Sequence, residues 1–66
     1  MKKKISLVTP TLNEEENIEN FISKVREEME KLDYDYEHII IDNFSNDRTI
    51  EILRNIAKSD AKLKII

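Results

Sequence analysis

Two polar stretches hold the side chains that could do chemistry. The first, Pro10-Thr11-Leu12-Asn13-Glu14-Glu15-Glu16, follows the largely apolar run Ile5-Ser6-Leu7-Val8. The second, Asp42-Asn43-Phe44-Ser45-Asn46-Asp47-Arg48-Thr49, follows Ile39-Ile40-Ile41. Both are rich in carboxylates, amides and hydroxyls, the groups that hydrogen-bond a polar ligand. Neither contains a nucleophile beside a base, or carboxylates at metal-ligand spacing. No catalytic residue and no metal ligand is therefore assigned in this chain. Pro10 fixes the backbone where it leaves a strand, and Asn13 can hold a turn through its side-chain amide. Glu14, Glu15 and Glu16 suit the start of a helix as ordinary dipole-friendly residues; one of them pointing into a cleft is the functional alternative. Asp42 can accept hydrogen bonds from a base or a ribose hydroxyl, or it can close an Asx turn, and the residue types leave both open. Ser45, Asp47 and Thr49 suit bracing of the loop and capping of the helix that follows. Phe44 either stacks on a base or fills a gap, packing being the commoner fate of an aromatic. His38, the one histidine, has no partner cluster and reads as structural. Tyr34 and Tyr36 read as packing at the far end of the sheet.

The elements around these stretches follow from periodicity. Ile5 to Thr9 reads as a strand that Pro10 ends. Ile18, Phe21, Ile22, Val25, Met29 and Leu32 recur on one helical face. Thr11 or Asn13 can cap that helix, and Thr11-x-x-Glu14 and Asn13-x-x-Glu16 both have capping-box spacing. The glutamates in its first turn and Lys31 near its end suit the helix dipole. Asp33 to Glu37 is a connector. Tyr36 to Asp42 is a second strand, whose unbroken isoleucines predict burial on both faces. A second helix runs from Asp47 or Arg48 to Lys58, with Ile50, Leu53, Ile56 and Ala57 on one side. Ser59 to Lys62 is a turn, and Leu63 to Ile66 a third strand. Alternating strands and helices with long crossovers predict an α/β unit with parallel strands. Both polar stretches then lie beyond the carboxyl ends of strands, where such sheets bind ligands. Both run into helix N-termini, whose free N-H groups favour anions.

Composition narrows the classes. Sixty-six residues make one domain at most, and a chain this small buries only about 60% of its unfolded surface. There is no cysteine to staple it or to bind metal. The net charge of -3, with scattered basic residues, argues against nucleic-acid binding. Ordinary usage would give about four or five glycines; none is present, which excludes Gly-rich phosphate loops. No apolar run approaches the ~20 residues of a membrane helix. Met1 to Lys4 is basic but lacks the apolar segment of a signal peptide. The expected location is cytoplasmic. The chain stops inside its third strand and reads as a single truncated domain, residues 1–66.

The two motifs together, "SLVTPTLNEEENI" and "EHIIIDNFSNDRTIEIL", resemble the beginning of the family 2 glycosyltransferases, with the polyprenyl- or dolichol-phosphate sugar transferases the nearest in flavour. The resemblance covers essentially the whole chain. It implies a three-layer, Rossmann-like β-α-β-α-β unit, the N-terminal part of a GT-A fold that binds a nucleotide sugar. It implies that Pro10, Leu12, Asn13, Glu14, Asp42 and Asn43 contact the nucleotide, with Ser45, Asp47 and Thr49 bracing the loop. Leu12 stands where the family carries an aromatic, Asn43 where it carries a second aspartate, and Phe44 and Arg48 where it carries glycines. The parent so implied transfers a sugar with inversion from a UDP- or GDP-sugar to a polyprenyl phosphate or glycan. It uses Mg²⁺ or Mn²⁺ held by ligands outside this chain, and its membrane association would be on the cytoplasmic face. The isolated chain is expected to be inactive. The alternative is a non-catalytic α/β module that binds a partner or forms a homodimer through an exposed sheet edge.

Overall fold

The computed structural model describes residues 3–32 and 34–66. Met1 and Lys2 of the basic start, and Asp33 of the expected connector, lie outside the described residues. The order is β1 (Lys4–Thr11), α1 (Ile18–Glu30), β2 (Asp35–Asp42), α2 (Thr49–Ala57) and β3 (Leu63–Ile65). The three strands form a parallel sheet in the order β1-β2-β3.

β1 runs through Pro10, which does not end it. The hydrogen-bond phase explains why. Lys3 and Thr11 turn their carbonyls toward β2 and accept from the Asp35 and Asn43 N-H groups. Backbone groups alternate sides along a strand, so odd positions face β2 and Pro10 faces away. Among the described residues β2 is the only neighbour of β1, so the missing N-H of Pro10 removes no ladder bond.

In-register partners share a face: Ile5 with Tyr36, Leu7 with His38, Thr9 with Ile40. The helices cover that face. Ile18 and Ile22 of α1, Leu53 of α2, Ile40 of β2 and Leu63 of β3 form one buried cluster. Two right-handed crossovers stepping in the same direction keep both helices on one side of the sheet. Of a three-layer arrangement the described residues thus supply the sheet and one helical layer. This corrects the burial expected for β2. Ile40 is fully buried, but Ile41 on the other face is 42% exposed, because no layer covers it.

α1 begins at Ile18, later than the capping boxes predicted. Glu14 to Asn17 form a preceding turn in which the Glu14 carbonyl accepts from the Asn17 and Ile18 N-H groups. Neither capping box forms, because the Thr11 hydroxyl and the Asn13 side-chain carbonyl are engaged elsewhere. Only Glu19 lies in the first turn, and Leu32 falls beyond the helix end. α2 starts at Thr49 and ends at Ala57, about one residue inside the expected limits. At the far end of the sheet Tyr36 is buried as expected, whereas Tyr34 is 43% exposed and lines an open hollow with Met29, Leu32 and Tyr36. His38 is buried in the helix-covered face, its Nε2 2.9 Å from the Thr9 hydroxyl and its ring edge-on to Phe21.

Candidate functional site

The two polar stretches meet beyond the carboxyl ends of β1 and β2, and hydrogen bonds pin each to the other. The last rung of the β1-β2 ladder pairs Thr11 with Asp42. There the buried Thr11 hydroxyl donates to Asp42 Oδ1 at 2.8 Å. Beyond it, the Asn13 N-H donates to Ser45 Oγ at 2.9 Å, and the Asn46 N-H donates to Asn13 Oδ1 at 2.7 Å. The Glu14 N-H donates to Thr49 Oγ1 at 2.9 Å, and the Glu15 N-H to Asp47 Oδ2 at 3.1 Å. The first loop therefore places its backbone donors on side chains of the second. Asn13 adopts φ 51°, a left-handed conformation that its short amide tolerates better than most side chains.

Asp42 is the pivot. Its Oδ1 accepts from the Thr11 hydroxyl and from the Ser45 hydroxyl at 2.6 Å; its Oδ2 accepts from the Ser45 N-H at 2.8 Å. The last of these closes the turn across Asn43 and Phe44, so Asp42 caps its own loop through an N-H three residues on. A carboxylate offers about four acceptor positions, so one, on Oδ2, is not used by the loops. Burial opposes ionisation of Asp42, but the hydrogen bonds from Ser45 and Thr11 outweigh it and hold the carboxyl below its ordinary range. Asp47 behaves similarly: burial opposes its charge, and donors from Thr49 and from the Glu15 backbone prevail. Asp47 Oδ1 also accepts from the Thr49 N-H and hydroxyl, which closes the start of α2. Thr49 is fully buried.

The site residues read from the sequence fall into three groups. Asn13, Asp42, Ser45, Asp47 and Thr49 are joined in the one network. Pro10 and Glu14 line an open hollow of about 280 Å³ between the free edge of β1 and α1, with Thr9, Thr11, Asn17, Ile18 and Phe21. Leu12 is half exposed, and Asn43 is exposed with its N-H on the Thr11 carbonyl. Phe44 fills no gap: it is 90% exposed at φ 57°, which overturns the packing expectation. Sequence reasoning did not find the parts played by Thr11 and Asn46. The signal for Thr11 was the matched strand ends, which make it the rung partner of Asp42. Asn46 acts through its backbone and left no signal in its residue type.

Among the described residues no three His, Asp or Glu side chains converge on a point. Asp42 and Asp47 are each held by donors within the loops and no third carboxylate joins them, so the described residues do not fit a divalent ion. No helix among the described residues is long and apolar enough to cross a membrane.

Comparison with known proteins gives concordant results. The family described as Glycosyl transferase family 2 matches residues 6–66. The chain is 46% identical over 57 residues to a bactoprenol glucosyl transferase of Shigella phage SfV, covering 86% of this chain and 19% of that protein. It is 38% identical over 61 residues to an uncharacterized glycosyltransferase, YkcC, of Bacillus subtilis strain 168, covering 92% and 19%. It is 32% identical over all 66 residues to an uncharacterized glycosyltransferase of Synechocystis, of which it covers 21%. The chain thus spans about a fifth of the length of these relatives.

Proposed function

The chain belongs to glycosyl transferase family 2, and on that premise we propose that it forms the base-and-ribose end of the donor site in a longer transferase. That enzyme moves a sugar, with inversion, from a UDP- or GDP-sugar to a polyprenyl phosphate or a glycan. The observation that carries this reading is the pair of loops beyond β1 and β2, pinned into one platform with an acceptor position of Asp42 left open. Asp42 takes a donor from the base or the ribose, and Asn43 supplies an amide beside it. Pro10, Leu12, Asn13 and Glu14 form the neighbouring wall, while Ser45, Asp47 and Thr49 hold the platform rigid.

The lipid-linked acceptor is proposed from the relatives named for bactoprenol. With such an acceptor the longer enzyme works at the cytoplasmic face of a membrane. Mg²⁺ or Mn²⁺, which would neutralise a departing diphosphate, is assigned to residues of the longer protein. The 66 residues alone are expected to bind and not to catalyse.

The test is a nitrogen-proton NMR titration with UDP and then GDP, with and without Mg²⁺. Shifts confined to Thr9–Glu15 and Asp42–Thr49 support the donor site, and the tighter nucleotide names the donor class. A dispersed spectrum that neither nucleotide perturbs rejects it. One observation favours a second reading, a non-catalytic homodimer formed through the free edge of β1: the sheet face behind that edge is bare. A mass that doubles with concentration while nucleotides leave the spectrum unchanged would select it.

A further inference from the structure

Phe44 has the greatest fractional exposure among the described large apolar side chains. It is held there against two opposing effects. Its ring forgoes burial, and its φ of 57° brings Cβ against the backbone, a conformation that favours glycine. What holds it is visible on both sides. The Ser45 N-H on Asp42 Oδ2 closes a turn around Asn43 and Phe44. The Asn43 N-H is fixed on the Thr11 carbonyl. Ser45 Oγ and the Asn46 N-H are tied to Asn13. Phe44 is thus the tip of a turn anchored on its flanks, two residues from the open acceptor position of Asp42. Strained, over-determined backbone of this kind gathers at ligand clamps. The first loop offers no flat ring to a ligand; its apolar side chain is Leu12.

We propose that Phe44 is the base-stacking residue of this site. Its ring presents a π-face to the nucleobase of the donor, while Asp42 and Asn43 hold the base edge or the ribose. The proposal rests on the nucleotide-binding reading above and adds to it the residue that recognises the base. Every base has a π-face, so a ring here supplies affinity without choosing between uracil and guanine. That choice falls to the polar groups around it.

The test uses the 66-residue chain, Phe44→Leu and Phe44→Gly, titrated with UDP, GDP and ribose 5-phosphate, which lacks a base. Phe44→Gly relieves the positive φ, so a loss of binding in that variant cannot be ascribed to unfolding. The chain has two phenylalanines, which makes the Phe44 ring protons assignable. The expected result is an upfield shift of those protons with UDP or GDP. Both substitutions should weaken nucleotide binding about tenfold or more and leave ribose 5-phosphate binding unchanged. Nucleotide shifts at Thr11 and Asp42 with an unmoved Phe44 ring and unchanged affinity in Phe44→Leu would overturn the stacking role and leave the donor site standing. Equal ring shifts with ribose 5-phosphate would overturn base recognition by this ring. A wild-type chain that no nucleotide perturbs would overturn both readings.

Discussion

At the scale of single residues, two side chains sit where their chemistry opposes the fold. Phe44 is one. Replacing it by glycine removes the clash at φ 57° but adds freedom to the unfolded chain. The relief is the larger effect, about 1–2 kcal/mol against about 0.4–1. Phe44→Gly should therefore melt a few degrees higher, since about 1 kcal/mol moves the midpoint of a domain this size by several degrees. Calorimetry of the two chains checks this. His38 is the other. Burial lowers its pKa below the ordinary 6.5, and the charge of Asp60 only partly opposes that. The unfolded chain then binds more protons than the folded one below about pH 6.5. Stability is full above that value and falls as pH drops through it toward the lower folded-state pKa. Urea midpoints at pH 7.5 and pH 5.5 should show the loss, and His38→Gln should remove that difference. Asp42 and Asp47, with folded-state pKa values below the usual 3.8, add a separate loss only in stronger acid.

At the scale of elements, the join between the first loop and α2 rests on Thr49. Its hydroxyl accepts from the Glu14 N-H and donates to Asp47. Thr49→Val keeps the shape, strands the Glu14 N-H and takes one of its donors from Asp47, which should cost about 1–3 kcal/mol. Thr49→Ser keeps the hydroxyl and should cost less; chemical denaturation of the two variants separates the hydroxyl from the methyl. The elements themselves were readable in the sequence because their apolar periods are unambiguous: 3.6 for Ile18 to Met29, and a short β-branched run for β2. Their ends were not. α1 was expected to start among the glutamates because Thr11 and Asn13 look like caps. In the folded chain the same side-chain oxygens have long-range partners, Asp42 and Asn46, and those partners win. The extension of β1 through Pro10 depends on which neighbours the strand has, which local residue types do not encode. The bracing of Ser45, Asp47 and Thr49 was legible because short polar side chains before a helix have few other uses. The exposure of Phe44 was not, since aromatic packing is the safer expectation wherever tertiary structure is unknown.

At the scale of the whole molecule, the unit is one-sided. Val8 at 58% exposure and Ile41 lie on the face that carries no helix, and Val8 also belongs to the edge strand. Pro10 blunts that edge near its end, but Ser6 and Val8 still turn their backbone groups outward. The chain is expected to self-associate as its concentration rises. Val8→Lys places a charge on both the edge and the bare face, and should hold the chain monomeric without moving its melting temperature by more than a few degrees. Sedimentation velocity over a concentration series checks the first outcome, and a thermal melt the second.

The bonds that pin the two loops link residues 31 to 35 positions apart in the chain. None of them can form from the first strand and helix alone. During synthesis, the platform comes into being only after Thr49 has left the ribosome and the crossover has closed, so the ligand-facing end cannot assemble before α2 begins to emerge. A nucleotide held across both loops would then report that the whole unit has folded, and would hold it there. At a hundred times its dissociation constant, a ligand specific to the folded state adds about 2.7 kcal/mol. For a small domain whose total stability is of the order of 5 kcal/mol, such a ligand would raise the margin of the folded chain by about half.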